Sequence, residues 1–210
     1  MRNRNHEIIA NRLSVEQFGQ FKDGVLGKIE RAKRFKRYRN AAKQGDAHAQ
    51  LYLGWWYAKG NGTRQDYAKA VRWFRMAAEQ GDARAQLYLG NCYARGLGIP
   101  QDYREAGLWF VRAAEQGLVE AYNNLGVLHM TGERGYWDCE RGLMWFHIAA
   151  ELGLRRAAYN LFLCYSKGIG VMQDDNEAYR WTRKALEAWK KDRPRLQVSI
   201  AQRRSGIFFP

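Results

Sequence analysis

A chain of 210 residues with 46% hydrophobic residues, 14% aromatics and 3 prolines has room for one elongated domain or at most two, and is too apolar for bulk disorder. Its net charge of +14 is segregated: residues 1–43 hold 12 Lys/Arg against 4 Asp/Glu, residues 44–182 hold 15 of each, and residues 183–210 hold 8 against 2. A uniformly basic nucleic-acid domain is excluded by that placement. The opening stretch, MRNRNHEIIANRL, has no long apolar run, so no signal peptide or membrane-spanning helix is expected. An odd set of 3 cysteines suits a reducing compartment, and the expected location is the cytoplasm.

The first element in chain order is basic. KIERAKRFKRYRN, residues 28–40, carries Lys28, Arg31, Lys33, Arg34, Lys36, Arg37 and Arg39, with Phe35 and Tyr38 between them. Cations neutralise phosphates and aromatic rings stack on bases, so these seven residues are candidate anion-binding positions. The plainer reading is a solvated helix face.

From residue 44 the chain repeats itself. AKQGDAHAQLYLGWWYAKGNG, starting at residue 42, returns as AEQGDARAQLYLGNCYARGLG, starting at residue 78, a step of 36. Gly45, Gly81, Gly117 and Gly153 keep that step, as do Gly60, Gly96, Gly132 and Gly168, and Trp73, Trp109, Trp145 and Trp181. Asp66, Asp102, Asp138 and Asp174, and Leu53, Leu89, Leu125 and Leu161, complete five series in one register. Such periods belong to stacked repeats.

Each unit is predicted to be two helices. Ala49, Leu53 and Tyr57 form a stripe on the first, which Gly60 ends. Asp66 opens the second as N-cap, and Ala70, Trp73 and Ala77 share one face. Asp102 with Glu105, and Asp174 with Glu177, have capping-box spacing. Gly54, Gly90 and Gly126 are expected where two helices approach closely, and Phe162 at the same place in the fourth unit is expected to alter the stacking. GNGTRQD, GLGIPQD and GIGVMQD look like phosphate loops in isolation, but they recur once per unit and follow no predicted strand. They are connectors. The third connector departs from the pattern, with Arg134 and Trp137 replacing Gly and Gln.

The stretch AEQGDARAQLYLGNCYARGLGIPQDYREAGLWFVRAAEQG, residues 78–117, resembles the SEL-one-like repeat family of the tetratricopeptide superfamily. The resemblance covers residues 44–188 and implies an all-α fold: a right-handed α-solenoid of stacked helix-turn-helix repeats. There are four clear 36-residue repeats plus a degenerate N-terminal one at residues 7–42, where Gly24, Ala32, Ala41 and Ala42 stay in register. Residues 1–43 then read as a basic capping repeat, 44–188 as the solenoid, and 189–210, with Pro194 breaking the pattern, as a basic cap or tail. The resemblance also implies an adaptor or scaffold for other proteins.

Catalytic and metal chemistry find no support. His6, His48, His129 and His147 have no metal-ligand spacing, and no cofactor is expected. Cys92 and Cys164 share a repeat position two units apart, about 20 Å at ordinary helix spacing. That is beyond disulfide reach, so the thiols are expected to be free.

In tetratricopeptide-like stacks the first helix of each hairpin lines a concave groove. The stripe left over on that helix reads His48, Tyr52, Trp55, Lys59; Arg84, Tyr88, Asn91, Arg95; Glu120, Asn124, Val127, Thr131; and Arg156, Asn160, Leu163, Lys167. These positions vary between units while the packing positions repeat. The expectation is a protein-binding solenoid acting as adaptor, assembly factor or inhibitor. The partner expected in the groove is an acidic or carboxylate-ended peptide, bound by Asn amides and Lys/Arg. Weak, salt-dependent nucleic-acid binding through the basic ends is the alternative.

Overall fold

The structure is a computed structural model that describes residues 15–60, 63–131, 138–187 and 190; of residues 15–26 and 28 it describes the backbone only. All regular structure among these residues is helical. The chain divides into two compact units, Met1–Gln80 and Gly81–Pro210.

The first unit holds α1 (Val15–Lys43), α2 (Ala47–Lys59) and α3 (Tyr67–Glu79). The second holds α4 (Ala83–Arg95), α5 (Tyr103–Glu115), α6 (Val119–Thr131), α7 (Cys139–Glu151) and α8 (Arg155–Lys167), followed by α9 at residues 175–187. The helices pair as the repeat predicts, α2 with α3, α4 with α5, α6 with α7 and α8 with α9. The repeating part is an all-α solenoid of hairpins.

The same local chemistry ends and starts each helix. Gly96 closes α4 at φ 63°, in the left-handed region that only glycine occupies without strain. There its N–H meets the Cys92 carbonyl. Asp66, Asp102 and Asp138 cap the second helices through their carboxylates, and Asp174 does the same at 2.9 Å to the Asn176 N–H.

The capping boxes are only half made. The backbone N–H of Asp102 is already bonded to the Tyr93 carbonyl at 3.0 Å, and that of Asp174 to the Tyr165 carbonyl at 3.0 Å. With that donor taken, Glu105 accepts from Trp109 Nε1 at 3.2 Å, and Glu177 accepts from Arg180 at 3.1 Å. Glu177 is thereby drawn from the indole one turn on, and Trp181 Nε1 lies buried with no partner among the described residues.

Packing follows the period. Ala49, Leu53, Ala70 and Ala77 are buried, and so are their counterparts Ala85, Leu89, Ala106 and Ala113. The tryptophans contribute unequally: Trp109 and Trp181 are buried, Trp73 and Trp145 half-buried. In the first three hairpins the deeper ring is one residue further on, at Phe74, Phe110 and Phe146. Each lies against the glycine of its own hairpin. A Cβ on Gly54 would sit 2.6 Å from the Phe74 ring, one on Gly90 2.6 Å from Phe110, and one on Gly126 2.5 Å from Phe146. Burying such a ring contributes about 1.5–3 kcal/mol.

In the fourth hairpin the arrangement is inverted. The glycine position holds Phe162 and the phenylalanine position holds Thr182. Phe162 is half-buried and packs against the fourth hairpin's core, while Thr182 is exposed and turns its hydroxyl to the Ala178 carbonyl at 3.0 Å. The altered stacking expected at Phe162 is therefore an exchange of ring and small residue between two helices.

The N-terminal segment differs from a hairpin. Gly24, in register with Gly60, lies inside the continuous 29-residue helix α1 and not in a connector. Residues 1–14, the connector with Arg134 and Trp137, and residues 191–210 with Pro194 lie outside the described residues.

Candidate functional site

The stripe proposed for recognition is exposed at its ends and half-buried in between in every repeat, save for Val127. In the first unit His48 and Lys59, at the ends of α2, are exposed, and Tyr52 and Trp55 between them are half-buried. In the second unit Arg84, Arg95, Glu120, Thr131, Arg156 and Lys167 are exposed; Tyr88, Asn91, Asn124, Asn160 and Leu163 are half-buried; and Val127 is 40% exposed. Among the described residues, Arg84, Arg95, Arg156 and Lys167 make no ion pair.

The asparagines are committed to one another. Asn160 donates to Asn123 at 3.0 Å, Asn123 to Asn124 at 3.4 Å, and Asn124 to Asn91 at 2.9 Å. This amide chain ties α8, α6 and α4 together. Asn123, which lies off the variable stripe, is 2% exposed. Half-buried amides on adjacent helices satisfy each other where water is scarce. Asn91, Asn124 and Asn160, expected to pair with the backbone of an extended peptide, are thus also bonded among themselves and to Asn123. One N–H and one lone pair of the Asn124 amide remain for a ligand.

A cavity of about 750 Å³ lies at the end of this chain in the second unit. Glu120, Asn124 and Arg156 of the stripe line it, together with Arg155, Tyr159 and Thr182. Its lining includes the position where the three preceding repeats carry phenylalanine. The first turn of α8 also borders it. Asp46 and Asp82 cap α2 and α4, but the residue in that register before α8 is Leu154, with no side-chain cap. Like α6, which follows Leu118 in the same register, α8 therefore starts without the aspartate that caps α2 and α4.

The basic candidates occupy α1. Arg31, Lys33, Arg34, Lys36, Arg37 and Arg39 are exposed, and Lys33 pairs with Glu30 at 3.1 Å. Lys28 belongs to the same helix, and its side chain is outside the described residues. Phe35 and Tyr38 face α2: Phe35 stacks on Trp56 at 5.4 Å and Tyr38 on Tyr52 at 5.2 Å.

No group of three or more His, Cys, Asp and Glu suited to a metal occurs among the described residues. Cys92 and Cys164 are buried, and burial pushes both thiols up to about 11. His129 occupies the tyrosine register, its carbonyl accepting the Asp138 N–H at 3.0 Å as Tyr57, Tyr93 and Tyr165 do for the other caps. Among the described residues no helix is long and apolar enough to cross a membrane.

Comparison with known proteins places these features in a family. A model described as the Sel1 repeat matches residues 47–82, 83–118, 119–154 and 155–188. A Sel1 repeat protein from Oxalobacter formigenes is 35% identical over 73% of this chain and 61% of that one, with a TM-score of 0.68. A protective antigen present in uropathogenic Escherichia coli strains, displaying an SLR fold, is 31% identical over 84% of this chain and 41% of that one, with a TM-score of 0.66. A Sel1 repeat protein from Klebsiella pneumoniae, 24% identical with a TM-score of 0.56, shares the fold over 73% of this chain and 74% of its own. The chain thus spans 61% and 41% of the lengths of the first two. Comparison with curated proteins gives no match.

Proposed function

Since the chain belongs to the Sel1 repeat family, whose members are generally protein-interaction scaffolds and typically non-catalytic, we propose that it is a non-enzymatic adaptor, assembly factor or inhibitor of one protein partner. The partner presents an acidic or carboxylate-ended peptide to the first helices of the repeats.

The observation that carries this reading is the cavity of about 750 Å³ bordered by Arg155, Arg156, Asn124 and Tyr159. Two guanidiniums there are matched by one carboxylate, Glu120. An incoming carboxylate would meet the arginines in bidentate geometry and the positive end of α8, which has no side-chain cap. Tyr159, 55% exposed, offers an apolar wall beside them.

Selection of random displayed peptides on the full chain tests the reading. Acidic or acid-ended sequences should be enriched, and the double variant Arg155→Glu/Arg156→Glu should lose them. Enrichment of basic sequences, or equal enrichment on the double variant, would remove the cavity from consideration.

A further inference from the structure

Two groups of residues that the sequence presents separately, the arginines of α1 and the aromatic stripe of α2, meet in the first unit. Tyr38 stacks on Tyr52, and His48 stands edge-on to the same ring at 4.7 Å. Between the helices open two adjoining hollows of about 440 and 340 Å³, and both are bordered by Arg34 and Tyr38. Arg31 and Trp55 line the first, Arg37 and His48 the second.

The two acids at this crevice are engaged elsewhere. Glu30 pairs with Lys33 at 3.1 Å, and Asp46 accepts the Ala49 N–H at 2.8 Å as the cap of α2. Three guanidiniums therefore rim an aromatic crevice and face no described carboxylate in an ion pair.

We propose that this crevice is a second docking site for an acidic segment of a protein partner. Its carboxylates lie along Arg31, Arg34 and Arg37, and an apolar side chain rests on Trp55. The inference rests on the reading of the chain as a peptide-binding scaffold, but it uses none of the residues of the α8 cavity. Arginines three apart on a helix are about 4.5 Å apart along its axis. That rise matches carboxylates three residues apart on an acidic helix, which climbs by the same step. Single-stranded nucleic acid would need open ring faces to stack on. Here Tyr38 and Tyr52 cover one face of each other, and Phe35 and Trp56 do likewise, which leaves Trp55 as a platform for one apolar group and not for successive bases.

The test is a titration of the full chain with a labelled Glu-rich peptide carrying one central Leu, with oligouridylate as the competing probe. The native chain should bind two equivalents of peptide. Arg34→Glu/Arg37→Glu should leave one, with at least a tenfold loss at the other, about 1.4 kcal/mol. Arg155→Glu/Arg156→Glu should leave the α1 site intact. All four arginines are exposed, and helical circular dichroism checks that each variant folds. Unchanged peptide binding in the α1 variant overturns this proposal and leaves the cavity reading standing. Loss confined to the α1 variant overturns the cavity reading and keeps this one. Tighter binding of oligouridylate than of peptide, abolished by Arg34→Glu/Arg37→Glu, makes the crevice a nucleic-acid site and overturns the proposal. No saturable binding of either probe overturns it too.

Discussion

Residues 83–118 and 155–188 are the same repeat with different joints. The earlier one is capped by Asp82, sets Gly90 against the Phe110 ring, and holds buried Gln86 by a 2.8 Å bond from Gln116. The later one has Leu154 at the cap, Phe162 and Thr182 in place of glycine and phenylalanine, and Ala158 in place of the glutamine. Helix lengths and period are unchanged. What changes is where bulk and polarity sit, and the glycine and phenylalanine change together as a complementary pair. Joint substitution keeps the hairpin packed, and on one side of the fourth repeat it leaves the open, arginine-bordered space.

Exchanging the ring between helices should have the greatest effect on stability. Gly90→Phe alone should destabilise the chain by about 3 kcal/mol or more, because the new side chain enters a filled site. The ideal Cβ already falls 2.6 Å from the Phe110 ring and 3.2 Å from the Ala106 carbonyl. Phe110→Thr alone should cost about 3–5 kcal/mol through the cavity it leaves. The double variant reproduces the fourth repeat in the second and should cost well under the sum. Urea denaturation of the three variants measures this. Strict additivity would mean that Phe162 and Thr182 are not compensating.

Why some of this is legible in the sequence and some is not has a physical basis. Caps, helix ends and the small-residue faces recur every 36 positions because each repeat builds the same hairpin, so Asp66, Gly96 and Ala70 can be placed by period alone. The amide chain evades that period. Asn124 meets Asn91 across 33 residues and Asn160 meets Asn123 across 37, so neither pair falls on the repeat length. Phe110 is masked by Trp109, its larger neighbour, which takes the packing assignment when sequence is the only guide. The half-made capping boxes are hidden because sequence spacing does not reveal that Tyr93 already holds the Asp102 N–H. The crevice in the first unit is invisible for a similar reason. Gly24 has the register of a connector, and only the continuous α1 brings Arg34 and Tyr38 beside Tyr52.

The caps distinguish the two repeats by a smaller amount. Asp82 Oδ1 accepts the Ala85 N–H at 2.8 Å, so Asp82→Ala should cost about 1 kcal/mol. Leu154→Ala removes no cap bond; it trims a side chain packed on the fourth repeat's core. The two variants should therefore separate in hydrogen exchange. Asp82→Ala should expose the first amides of α4 to faster exchange, while Leu154→Ala should loosen α8 without a special effect on its first turn. Equal acceleration at both helix starts would mean that another group caps α8.

The smallest expected effect is a dependence on pH at the fourth repeat that the second lacks. His147, on α7, stands edge-on to Trp181 at 5.0 Å and lies 3.2 Å from the Tyr165 hydroxyl. Two periods earlier, in the same place ahead of the second repeat, the residue is Arg75, so no imidazole stands there. Burial lowers His147 below its ordinary 6.5; Glu177 and Glu151 oppose the shift, while Arg180 and Lys184 add to it. Between the folded value and 6.5 the unfolded chain holds more protons, so stability rises with pH in that window. The contribution is complete above 6.5 and is lost as pH falls through the folded value. Exchange protection in α8 should accordingly weaken on acidification from neutral pH, whereas protection in α4 should show no such step once corrected for intrinsic exchange. His147→Phe keeps an aromatic ring against Trp181 and removes the titration, so it should flatten the α8 profile. A slope that survives this substitution would place the sensitivity in the exposed Lys184–Glu151 pair, where acid protonation of Glu151 is the remaining source.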